Sequence, residues 1–90
     1  MKTIRMYITG SVQGMFFRQF IDKTAKELKL KGFVRTLDDG RVEVVVEGRI
    51  EPVTEMINRC KAGPRHSSVK NVEVQDMTNQ GFDNFKVLSM

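Results

Sequence analysis

Apolar residues in this chain recur at every second position, then at helical spacing, then at every second position again, and the cycle runs twice. In "TIRMYITG", Ile4, Met6 and Ile8 alternate with Arg5, Tyr7 and Thr9, the pattern of a half-buried strand. From Arg18 to Leu30 the apolar residues are Phe20, Ile21, Ala25 and Leu28, with Phe17 one turn before, and Gly32 suits a stop. "GFVRTL" returns to period two. Asp39-Gly40 in "DDGR" is a hairpin turn signal, and "RVEVVVEG" is the return strand with Val42, Val44 and Val46 on one face. "EPVTEMINRCKAG" is a second helix, with Pro52 suited to its first position and Val53, Met56, Ile57 and Cys60 as its stripe. "SVKNVEVQ" is a fourth strand with less regular alternation, and "FDNFKVL" a short fifth.

This order predicts an α+β, ferredoxin-like βαββαβ sandwich: a mostly antiparallel sheet with two helices on one face, plus a short fifth strand. The second face of the sheet is expected to be more open to water. Residues 1–90 are expected to form a single domain, since a chain of this length supports one core. The architecture alone does not choose a function.

Composition narrows the chemistry. The formal charge of +4 and pI of about 9.5 suit anionic ligands of any size. One cysteine, Cys60, and one histidine, His66, leave no thiolate or imidazole cluster for a metal. "MKTIRMYITG" has no apolar run long enough for a signal peptide or a membrane span, so a cytoplasmic location is the expectation.

The stretch "GSVQGMFFR", Gly10 to Arg18, joins the first strand to the first helix. Gly10 and Gly14 free the backbone to turn tightly and to aim successive N–H groups inward. A cation in a first helical turn opposes the helix dipole, so Arg18 breaks a local rule. An anion bound there reverses the objection, because a guanidinium fork grips phosphate in a bidentate way. The plainer reading is a glycine connection followed by a solvated arginine, and spacing alone leaves both open. A nucleotide P-loop is excluded, because the Gly-Lys-Ser/Thr ending is missing.

"GSVQGMFFR" resembles the first signature of the acylphosphatase family, Gly-x-Val-Gln-Gly-Val-x-Phe-Arg, with Met15 where valine is usual. Gly32, Phe33, Val34 and Arg35, followed by Gly40, Val42 and Gly48, are similar to its second signature. "GPRHSSV" and "FDNFKVL" resemble the family's tail, so the likeness runs over nearly the whole chain. The resemblance implies the same ferredoxin-like fold and hydrolysis of acyl phosphates to carboxylate and phosphate, with no cofactor and no metal. It places the phosphate cradle on the backbone of Val12, Gln13, Gly14, Met15, Phe16, Phe17 and Arg18, with Arg18 as catalytic arginine. The family's water-orienting asparagine falls on Thr36, which has one hydroxyl and a shorter reach, so reduced activity is expected. Expected partners are a small acyl phosphate and its phosphate product, with no nucleic acid, no membrane and a monomeric state.

Two other readings compete. The chain would be a binding module if it held phosphate or an acyl phosphate and turned it over poorly. RNA binding is a third reading, since the fold is shared with RNA-recognition modules and "KGFVR" echoes their aromatic motif, although "RVEVVVEG" has no aromatic to stack a base. Other residues read plainly. His66 belongs to a surface loop, Cys60 to the core, and Asp38 and Asp39 to the turn. Lys23, Lys26, Lys29 and Lys31 form the solvated side of the first helix. Phe17 packs inward, and Phe16 is either a pocket wall or ordinary surface.

Overall fold

The computed structural model describes residues 1–12 and 14–88. In chain order the elements are β1 (Lys2–Ser11), α1 (Met15–Glu27), β2 (Lys31–Thr36), β3 (Val42–Gly48), α2 (Ile50–Ala62), β4 (Ser68–Met77) and β5 (Phe85–Val87). The sheet order is β4-β1-β3-β2-β5, with β2 and β5 parallel and the other pairs antiparallel. This is the expected ferredoxin-like α+β arrangement, with its short fifth strand at one edge.

The alternation in the strands decides which face takes the helices. Ile4, Met6 and Ile8 of β1, Val34 of β2 and Val42, Val44 and Val46 of β3 are buried in one cluster. Phe17, Ile21 and Ala25 of α1 and Val53, Met56 and Cys60 of α2 complete it, so both helices cover the same face. Burial holds the Cys60 thiol neutral, with its pKa pushed up to about 12, as expected of a core thiol.

β4 explains its own irregular pattern. Its register against β1 shifts between Thr9 and Gly10, where Asn71 and Val69 are the successive partners and Lys70 is the extra residue. The bulge turns both Val69 and Val72 toward the core, although they are an odd number of residues apart. Gly10 sits at this bulge with φ 136°, and a Cβ there would lie 2.2 Å from the Ser68 carbonyl oxygen. Gly10 is therefore a strand residue required by close approach to β4, rather than part of the loop.

The helix ends differ from the expected ones. α1 begins at Met15, three residues before Arg18, and stops at Glu27. Lys29 adopts a left-handed conformation (φ 58°), donating to the Lys26 carbonyl, while Leu30 donates to that of Ala25. These two bonds form a Schellman ending, so the stop comes before Gly32, which is already in β2. Lys29 thus lies in the turn after α1, and Lys31 opens β2, rather than either lying on the helix's solvated side. In α2, Pro52 is the third residue and not the first, a position whose missing N–H has no helical partner either.

The second face of the sheet is less open than expected. β4 and β5 lie at opposite edges, so the chain must cross from one to the other after Met77. That crossing lies over the end of β3 and is held by Glu47, which is 4% exposed. Glu47 Oε2 accepts from the Thr3 hydroxyl at 2.6 Å and from the Gln80 N–H, and Oε1 accepts from the N–H groups of Gly81 at 3.0 Å and Phe82 at 3.1 Å. Phe82 meets Phe33 edge-on at 6.0 Å between ring centroids. Further along β3, the buried Glu43 carboxylate lies between Arg5 and Arg35, and Arg41 covers the Tyr7 ring. Glu43, Val45 and Glu47 are consequently buried on the face away from the helices.

The Thr3 hydroxyl and the backbone donors hold the Glu47 carboxyl below its ordinary value of 4.5. A lowered folded-state pKa gives stability that is complete above the ordinary value and lost as pH falls through the lowered one. Acid unfolding followed by circular dichroism is expected to show the wild type losing stability below about pH 4.5, and Glu47→Gln to flatten that dependence. At neutral pH, Glu47→Gln should cost about 2 kcal/mol, because buried N–H donors then face an amide. An unaltered acid profile in the variant would remove Glu47 from this role. At the end of α1, Lys29→Gly is expected to raise unfolding free energy by about 1 kcal/mol in urea titration, since glycine adopts the left-handed conformation without strain.

Candidate active site

The register of three strands sets the geometry. Ile8 of β1 pairs with Val42 of β3, and Val42 pairs with Thr36 of β2, so the three lie in one row across the sheet. Thr36 shares the parity of Val34, so it points to the helix-covered face, at the end of the sheet where β1 runs out into the first loop. α1 leaves that loop and packs over β2 and β5. The start of α1 and the end of β2 are thereby brought to the same end of the fold, on the helix-covered side of the sheet.

The start of α1 is built without the usual caps. Gly14 is its N-cap with φ 94° and ψ 172°, and no side chain caps the helix among the described residues. A Cβ on Gly14 would meet nothing within 4 Å, so the demand for glycine there is conformational. Helix geometry leaves the N–H groups of Gly14, Met15, Phe16 and Phe17 unpaired, and the first turn contains no acidic residue. The Gly14 carbonyl accepts the first helical bond, which comes from the Arg18 N–H. The Arg18 backbone N–H is thereby paired within the helix, and its guanidinium is the group left to face the loop.

Arg18 is half-buried, and its Nε lies 3.4 Å from the Gly14 carbonyl oxygen. That contact is long, and among the described residues no carboxylate pairs with Arg18. A cation, four unpaired N–H groups and a favourable helix dipole thus converge on one place. Val12 and Phe17 anchor the loop from below, at 0% and 2% exposure. Met15 and Phe16 are exposed beside it. Gln13 lies outside the described residues.

Thr36 supplies the second polar element. Its hydroxyl is buried and has no hydrogen-bond partner among the described residues. A buried hydroxyl without a partner is destabilising, and such groups are a pointer to a site that binds something else. Sequence spacing had brought Thr36 forward only through the family signature. The register shows independently that it belongs to the same end of the fold as Arg18.

Other candidates lie elsewhere. His66 is exposed in the loop before β4. A hollow of about 500 Å³, lined in part by Met1, Leu28, Arg49 and Phe82, opens at the other end of the sheet, where Lys2 pairs with Gly48. The Arg5–Glu43–Arg35 group is on the opposite face, and its charges are spent on one another. The buried acids were not singled out from sequence. The signal was the parity of β3, which sends Glu43, Val45 and Glu47 to the face opposite Val42, Val44 and Val46.

Comparison with known proteins was made on the whole chain. The acylphosphatase family model matches residues 4–87. An acylphosphatase of Syntrophus aciditrophicus is 43% identical over 89 residues, covering 98% of this chain and 93% of the relative. One of Pseudomonas aeruginosa is 45% identical over 84 residues, covering 93% and 92%. The crystal structure of an acylphosphatase from Bacillus subtilis superposes with a TM-score of 0.94 at 32% identity, covering 98% of this chain and 99% of the other. A family model matched over most of the chain, relatives more than 40% identical over nearly its whole length and a shared fold establish that the chain belongs to the acylphosphatase family.

Proposed function

We propose that this chain hydrolyses the carboxyl–phosphate bond of acyl phosphates, with the first loop and Arg18 binding the phosphoryl group and Thr36 holding the attacking water. The observation that carries the site assignment is the pairing of an uncapped, acid-free helix start bearing Arg18 with a buried, unpartnered Thr36 hydroxyl at the same end of the sheet. Family membership supports the reaction class.

The chemistry suits so sparse a site. The leaving group is a carboxylate, which departs without protonation. The water oxygen bonds to phosphorus as the bond from phosphorus to the carboxyl oxygen breaks. The electron pair leaves with the carboxylate, and both water protons remain on the phosphate as dihydrogen phosphate. What the protein supplies is alignment of the water and neutralisation of the phosphoryl oxygens. The N–H groups of Gly14 to Phe17 and the Arg18 guanidinium do the second. The Thr36 hydroxyl accepts a hydrogen bond from the water and directs its lone pair at phosphorus.

A weakly catalytic binding module is the second reading, and it rests on Thr36, whose single short hydroxyl fixes a water less firmly than an amide would. RNA binding gains no support from the sheet. The face it would use has buried Glu43 and Glu47 at its centre, and Phe33 is partly covered by Phe82. No helix among the described residues is long and apolar enough to cross a membrane.

Steady-state hydrolysis of a simple acyl phosphate separates these readings. Arg18→Ala is expected to lower kcat/KM by about 100- to 1000-fold, the scale of losing one charged donor to a transition state. Wild-type turnover no faster than buffer would rule out the enzyme. Thr36 gives a sharper pair of outcomes. Thr36→Val is expected to keep or slightly raise stability, by up to about 1 kcal/mol, because it removes an unpaired hydroxyl at constant shape, while lowering kcat by roughly 10- to 100-fold. Thr36→Asn is expected to raise kcat. Equal kcat in all three forms would show that the water is held elsewhere.

A further inference from the structure

Two large side chains at the first loop have no structural task. Met15 and Phe16 are 64% and 69% exposed, whereas their neighbour Phe17 is in the core at 2%. They are the first two residues of α1, so their own unpaired N–H groups belong to the anion cradle. A phosphoryl group held there must lie beside both side chains.

The geometry of the reaction says which part of a substrate reaches them. In an in-line displacement the water and the leaving group stand on opposite sides of phosphorus. The Thr36 hydroxyl is buried on the sheet, so it marks the water side. The leaving carboxylate and everything attached to it then point away from the sheet, toward solvent. Met15 and Phe16, exposed in the first turn of α1, are the large apolar side chains at the solvent boundary of this loop. A polar or charged residue would serve better at an empty helix start, and "MFF" occupies it instead.

We propose that Met15 and Phe16 form the acyl-binding rim of the site, and that the preferred substrates are acyl phosphates with an apolar acyl body, aromatic or branched aliphatic, over acetyl-sized ones. This inference rests on the hydrolytic reading above. The Phe16 ring offers an acyl group a flat apolar surface, best used by an offset aromatic ring. The Met15 thioether is unbranched and adapts to the shape laid against it. The rim is open on its outer side, so it favours apolar bulk without setting a sharp limit on size.

The test compares kcat/KM for benzoyl phosphate and acetyl phosphate in wild type, Phe16→Ser and the double variant Met15→Ser/Phe16→Ser. Both substrates carry the same phosphoryl group. Any effect of the substitutions on folding or on the backbone cradle therefore divides out of the ratio, as does the difference in intrinsic reactivity when variants are compared. The benzoyl-to-acetyl ratio is expected to fall about five- to tenfold in the double variant, with Phe16→Ser giving the larger share. A ratio that stays at the wild-type value overturns the rim while leaving the hydrolytic reading in place. Wild type that turns over neither substrate overturns that reading and the rim with it.

Discussion

The antiparallel register that lays Ile8, Val42 and Thr36 in one row is the constraint on which the site depends. It is fixed by backbone hydrogen bonds and by the alternation of buried residues, since a slip of one residue would turn Val42, Val44 and Val46 away from the helices. With the row in place, the loop leaving β1 and the last residue of β2 meet at one end of the helix layer. Neither Arg18 nor Thr36 needs a partner to be positioned. Each is carried by an element anchored in the core by other side chains, Phe17, Ile21 and Ala25 for α1 and Val34 for β2.

The opposite end of the sheet is stabilised by different means. There the chain has to pass from one edge strand to the other, and its backbone donors would be left over the end of β3. Glu47 answers this by turning a buried carboxylate toward them, with Thr3 completing its hydrogen bonds. Toward the other end of β3, beside the Val42 row, Glu43 is neutralised on the same face by Arg5 and Arg35. The molecule thus uses its buried charges for architecture on one face. It leaves Arg18, on the other face, free of any carboxylate among the described residues.

Much of this was legible in the sequence, and what was missed has physical causes. The strands, the two helices and the core face follow from period-two and period-3.6 spacing, because burial enforces both. Helix ends were less legible. Lys29 takes a left-handed conformation that sequence signals assign to glycine, and Pro52 is displaced two residues from its usual place. Gly10 was read as loop because a bulge is visible only once β4 lies beside it. The covered second face was missed because the crossing from β4 to β5 is a property of strand order. Within the site, Arg18 was legible from its conflict with the helix dipole. The unpartnered state of Thr36 was not, since it depends on what three separate elements leave unfilled.

The central claim is that the start of α1 is a phosphate cradle facing Thr36. The most direct measurement is a titration of the ¹⁵N-labelled protein with inorganic phosphate, followed by amide shifts. The account predicts saturable shifts largest at Gly14, Met15, Phe16 and Phe17, accompanied by the Arg18 side-chain Nε–H. Shifts centred on the hollow near Leu28 and Arg49, or none at these amides at saturating phosphate, would contradict it.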